Sequence, residues 1–211
     1  MPPAERPIPR YVSEPPQEPV PYGRWGEALA ERFLGAAQNM ESEEPLGDPG
    51  EITWFPERSW GGRTYVPATA STSNGFELFG FVSYTREHEG AQATDFQAAV
   101  DYTDETADAN PDWTLDLSDQ EIGHWRGPDG RRGVITLVWG LSMVANGAVA
   151  TTELGPTTTD QCLLVEDRFT LVSLDAYTGD YVEVRLFDRR GTELAGESLY
   201  EDDDGDEDGE E

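Results

Sequence analysis

From Gly50 onward, short runs of apolar residues alternate with polar ones, and turn residues interrupt them roughly every ten positions. Pieces of that length are too short for stable helices, so this part of the chain is expected to fold as strands. Glu51 to Phe55 and Thr64 to Ser71 are followed by Asn74-Gly75, a pair that accepts the positive φ angles of a tight hairpin, and Phe76 to Tyr84 returns from it. Phe96, Ala98, Val100 and Tyr102 alternate with polar neighbours, as do Trp113, Leu115 and Leu117. Pro128-Asp129-Gly130 makes a turn before the most apolar segment, Val134 to Val144, which reads as a central strand buried on both faces. Asn146-Gly147 predicts a second hairpin. Phe169 to Leu174, a turn over Tyr177 to Asp180, the alternating Val182, Val184 and Leu186, and a turn at Gly191 continue the pattern as a meander.

About nine or ten short strands and a single good helix predict a mainly β domain over residues 51–200, an antiparallel β-sandwich or a barrel. The helix precedes it. Trp25, Leu29, Phe33, Ala36 and Met40 recur at spacings of three and four, which places them on one helical face over Gly23 to Met40. Pro45, Gly47, Pro49 and Gly50 end that segment, giving a helix-and-linker unit over 23–50. Such a helix either pads an edge of its own domain or, hung on a flexible arm, docks Trp25, Leu29 and Phe33 into a partner's groove. The arm would be residues 1–22, which hold eight of the fifteen prolines and favour extended polyproline II. At the other end, residues 201–211 carry nine carboxylates, a run that repels itself and is expected to be disordered.

Charge restricts the partners. The chain has no lysine, fourteen arginines and forty-three acids, for a formal charge of −29. Without the acidic tail it still has thirty-four acids against the fourteen arginines, so the acidity belongs to the folded part as well. Direct nucleic-acid binding needs a basic patch and the release of counterions, and no segment supplies the patch. Anionic membrane surfaces are disfavoured on the same ground, and no run of about eighteen apolar residues exists to cross a bilayer. Basic proteins, larger protein assemblies and cations remain as partners; the oligomeric state is not legible. The absence of lysine fits an arginine-rich codon habit or a salt-rich solvent, and it leaves no side-chain amine to modify. With no charged region leading into an apolar one near Met1, the expected location is the cytoplasm, or a virion.

Chemistry is marked mainly by missing motifs. Neither type of Gly-rich phosphate loop occurs, nor do His-Glu-x-x-His, Cys-x-x-Cys or Gly-x-Ser-x-Gly. The lone Cys162 lies in an apolar stretch and reads as a buried, inert thiol. His88 falls in a polar loop. His124 is the one histidine set on a probable strand, alternating with Ile122 and Arg126 on one face and with Gly123 and Trp125 on the other. That face could line a cleft with Arg126 as an anion clamp. Asp108, Asn110 and Asp112 match positions 1, 3 and 5 of a calcium loop and Asp119 matches position 12, although Trp113 stands where the loop wants glycine. Trp60, followed by two glycines, is the best candidate for an exposed docking aromatic.

The reading that best unites these features is a non-enzymatic acidic accessory protein that binds a basic partner or a larger assembly. A β-barrel for a small ligand, or a hydrolase with a cleft at His124 and Arg126, is the alternative. A structural protein of a virion or shell is the third.

Overall fold

A computed structural model describes residues 20–88, 90–126, 130, 132–174 and 182–199. In chain order the elements are α1 (Gly23–Asn39), β1 (Thr53–Trp54), β2 (Arg58–Trp60), β3 (Arg63–Ser71), β4 (Glu77–Thr85), β5 (Thr94–Thr103), β6 (Leu115–Arg126), β7 (Arg132–Ser142), β8 (Val149–Leu154), β9 (Thr157–Leu163), β10 (Arg168–Leu174), β11 (Val182–Phe187) and β12 (Glu193–Ser198). The fold is mainly β, as the alternation predicts. Among the described residues its twelve strands exceed the nine or ten read from the sequence and form three antiparallel sheets, with no closed barrel.

The first sheet runs β1-β3-β4-β5, with β2 sharing the β3 edge beside β1. Strand period divides its side chains between two cores. Val66, Ala68, Ala70, Leu78, Val82 and Tyr84 point to one side, where Leu29 and Phe33 of α1 cover them. Tyr65, Phe79, Phe81 and Ala99 point to the other and meet Ile135, Leu137 and Trp139 of β7. The second sheet, β10-β7-β6, is therefore a middle layer. Its reverse face, with Leu115, Val138, Phe169 and Leu171, packs on Ala150, Cys162, Val184 and Leu186 of the third sheet, β12-β11-β8-β9. Helix and sheets stack in four layers. Every residue of β7 from Gly133 to Gly140 is buried, which accounts for the unbroken apolar run read as a central strand.

The hairpin at Asn74-Gly75 joins β3 to β4 as expected: the Thr72 amide donates to the Phe76 carbonyl at 2.7 Å, and Gly75 takes φ 90°. The turn at Gly191 likewise joins β11 to β12, where the Gly191 amide donates to the Asp188 carbonyl at 3.0 Å. Asn146-Gly147 does not form a hairpin. Both edges of β7 are already occupied, by β6 and β10, so the chain leaving it has no edge to pair with and crosses to begin β8 in the third sheet. Asn146 still needs its left-handed backbone, at φ 72°, and a Cβ on Gly147 would lie 3.0 Å from both Leu164 and Ser142 side chains. The chain changes sheets again between β9 and β10 and between β10 and β11, so the second half is not a simple meander. Residues 1–19 of the predicted arm, the acidic tail, most of the Pro128 to Gly130 turn and the Tyr177 to Asp180 turn lie outside the described residues.

Candidate functional site

The strand period places Glu77, Phe79 and Phe81 on the same face of β4, directed at the second sheet. Across the gap, Asp116 and Ser118 of β6 are in register with Leu141 and Trp139 of β7, which sets them on the face that looks back at the first sheet. Two carboxylates from different sheets thus share an inter-sheet cavity of about 190 Å³. Thr103 at the end of β5 lines it, as do Glu105 and Trp113 from the connection that follows, and Leu117 and Asp119 from β6 complete the wall.

The electrostatics follow from poor hydration and like charge. Loss of water, with the neighbouring charges of Asp116 and Asp108, raises the Glu77 carboxyl from 4.5 to about 7. Burial and the charge of Glu197 raise Asp116. Loss of hydration also raises Asp119, whose outer side remains in solvent. Glu197 itself accepts hydrogen bonds from the Thr114 hydroxyl at 3.1 Å and the Leu115 amide at 3.3 Å. Among the described residues no arginine forms an ion pair with Glu77, Asp116 or Asp119.

That omission is local. Arg185, nearly buried, is ringed by Glu153 at 3.1 Å, Glu193 at 2.5 Å and Glu183. Arg58 pairs with Asp160, which also accepts from the Val172 amide at 2.8 Å, so one carboxylate ties together β2, β9 and β10. Glu57 accepts from the buried Tyr84 hydroxyl at 2.7 Å. Among the described residues, the cleft is where acids are withdrawn from water with no ion pair to compensate them. At neutral pH such a site can hold a proton on Glu77 or draw a positive group inward.

The residues singled out in the sequence are scattered. His124 and Arg126 stand exposed at the far end of β6, with His124 Nδ1 3.2 Å from Glu121 Oε1. Strict alternation fails there because the register slips between Glu121 and Gly123, which makes Ile122 a bulge and brings both Ile122 and Trp125 against the core between the first two sheets. The cleft includes neither His124 nor Arg126. Asp108, Asn110 and Asp112 lie in the turns between β5 and β6, where the Asn110 amide donates to Thr106 and Ala107 carbonyls, whereas Asp119 lies within a strand. They do not converge as a calcium loop would, and among the described residues no group of three or more acids, histidines or cysteines could hold a metal ion.

Trp25, Leu29 and Phe33 are used in cis. Leu29 and Phe33 are fully buried, and Trp25 packs edge-on against Tyr84 at 5.2 Å, with Arg86 over both rings. They offer no docking face while α1 is in place. Trp60 keeps 39% of its surface exposed at the β2–β3 turn, supported by left-handed Gly61 and Gly62. Glu77 escaped the sequence reading as one of forty-three acids. Its signal was parity: it shares a strand face with Phe79 and Phe81.

No protein-family model matches the chain, and comparison with curated proteins and with solved structures finds no significant match to either. No helix among the described residues is long and apolar enough to cross a membrane.

Proposed function

We propose that the chain is a non-enzymatic acidic interaction protein that binds a basic protein partner, alone or within a larger assembly, and receives a basic side chain of that partner in the cleft of Glu77 and Asp116. The observation that carries this reading is the set of uncompensated carboxylates beside Trp113 and Phe79. A guanidinium or ammonium entering there would favour the charged form of each acid, and the aromatic faces add a cation–π contribution. The wider surface supports the same reading, because arginines such as Arg58, Arg63 and Arg185 are engaged by acids of the chain itself.

The test is affinity capture from the native source at low and at physiological salt, followed by mass spectrometry. A specific basic partner should be recovered at low salt and weakened at higher salt, as the screening length falls to about 8 Å at 0.15 M. The double variant Glu77→Gln, Asp116→Asn should lose it. Failure to recover a specific partner at low salt, or equal recovery by the double variant, would overturn the reading. The hydrolase alternative at His124 and Arg126 and the shell-protein alternative have no comparable observation in their favour.

A further inference from the structure

The cleft lies where the chain passes from the first sheet to the second. β5 ends at Thr103, residues 104–114 cross over, and β6 begins at Leu115, so Glu105 and Trp113 at the rim belong to the crossing itself. Among the described residues the charged groups around Glu77 are acidic: Asp116 from β6, Asp108 and Glu105 from the crossing and Asp101 on the same face of β5, with Glu197 of β12 behind Asp116. Its register partners, Ser71 of β3 and Thr103 of β5, are neutral. The crossing is organised by turns of its own, with the Ala109 and Asn110 amides donating to the Thr106 carbonyl and the Trp113 amide to the Asn110 carbonyl. Its end is tied down, because the Thr114 carbonyl accepts from the Met143 amide at 3.0 Å and the Thr114 hydroxyl donates to Glu197 at 3.1 Å, whereas no ion pair among the described residues spans the gap from 104–113.

We propose that this seam is a proton-controlled joint between the first two sheets, closed while one of the facing carboxyls of Glu77 and Asp116 holds a proton and loosened when both are charged. Two carboxylates in a poorly hydrated gap repel each other and each demands water, and widening the gap satisfies both. Asp108 lies on the crossing and is itself repelled by an ionised Glu77, so the force acts on the crossing. The value of about 7 for Glu77 places the transition near neutral pH. The joint is a property of the isolated chain and goes beyond partner binding, so either can fail without the other.

Amide hydrogen exchange on the full chain, read by mass spectrometry at about pH 6 and about pH 8 and corrected for the intrinsic pH dependence of exchange, tests it. Segment 104–113 should lose protection several-fold at the higher pH while β7 and β11 keep theirs. Glu77→Gln should abolish the pH step. Asp116→Asn, which removes the facing charge, should shrink the step and move what remains of it, driven by Asp108, to lower pH. Both variants are near-isosteric, and the unchanged protection of β7 reports that each remains folded. Equal protection of 104–113 at the two pH values in the wild-type chain, or a step that persists unaltered in Glu77→Gln, would overturn the proposal.

Discussion

Replacing Phe33 by alanine tests whether α1 is an integral layer of the fold or a detachable docking helix. Phe33 has no exposed surface, packs with Leu29 against Val66, Ala68, Val82 and Tyr84, and sets its ring 6.3 Å from that of Trp54. Truncating a fully buried phenylalanine costs about 3–5 kcal/mol, from lost burial plus the cavity left behind. α1 covers one face of one sheet, so the loss has a ceiling at the energy that docks the helix, and about 4 kcal/mol is the central expectation. With a urea dependence of about 2 kcal/mol per molar, the unfolding midpoint should fall by about 2 M. The exposed Glu31 of the same helix supplies the control: Glu31→Ala should change stability by no more than about 0.5 kcal/mol. Urea titrations followed by near-ultraviolet circular dichroism, with tryptophans on α1 and β1 as reporters, measure both variants. A midpoint shift below about 0.5 M for Phe33→Ala would mean that α1 contributes almost nothing in cis, and the docking-helix reading would return.

Other outcomes follow from single positions. For Glu77, the folded carboxyl titrates near 7 and the unfolded one near 4.5, so the folded state binds the proton more tightly and stability declines as pH rises through that window. Full burial would make this about 3 kcal/mol; Glu77 is only half-buried, and solvent screening reduces the expectation to about 1–2 kcal/mol. Glu77→Gln should therefore be more stable than wild type by that amount at pH 8 and equal to it at pH 4, as chemical denaturation at the two pH values would show. Gly140→Ala places a Cβ 2.5 Å from the Asp116 carbonyl and 2.9 Å from the Phe169 ring, both fixed by the core, and should cost about 1–3 kcal/mol, read as a lowered thermal midpoint. Arg185→Met strips Glu153, Glu183 and Glu193 of their shared cation and should cost about 2 kcal/mol at pH 7, with part regained near pH 4 as the acids take up protons.

Much of the fold was legible because its signals are local. Alternation in Val66, Ala68 and Ala70, the Asn74-Gly75 turn and the unbroken apolar run of β7 each depend on a few neighbouring residues. The site was not legible. Glu77 and Asp116 lie far apart in the chain, on strands of different sheets, and nothing in their surroundings separates them from other acids until the two sheets are stacked. The residues that did stand out locally, His124 and the Asp108 to Asp119 pattern, were displaced by a bulge in one case and divided between a turn and a strand in the other.

The sequence by itself determined the strand-rich pattern, the helix with its apolar stripe and the acidity, since each depends on residue type and short-range period. Tertiary structure alone decided which strands share a sheet and which acids share a gap. Edge occupancy sent the chain from β7 to a third sheet despite a good hairpin signal, because a strand has only two edges to give. Burial then distinguished one glutamate from the rest. Charge is written in composition, whereas the loss of water that alters a charge arises when the layers meet.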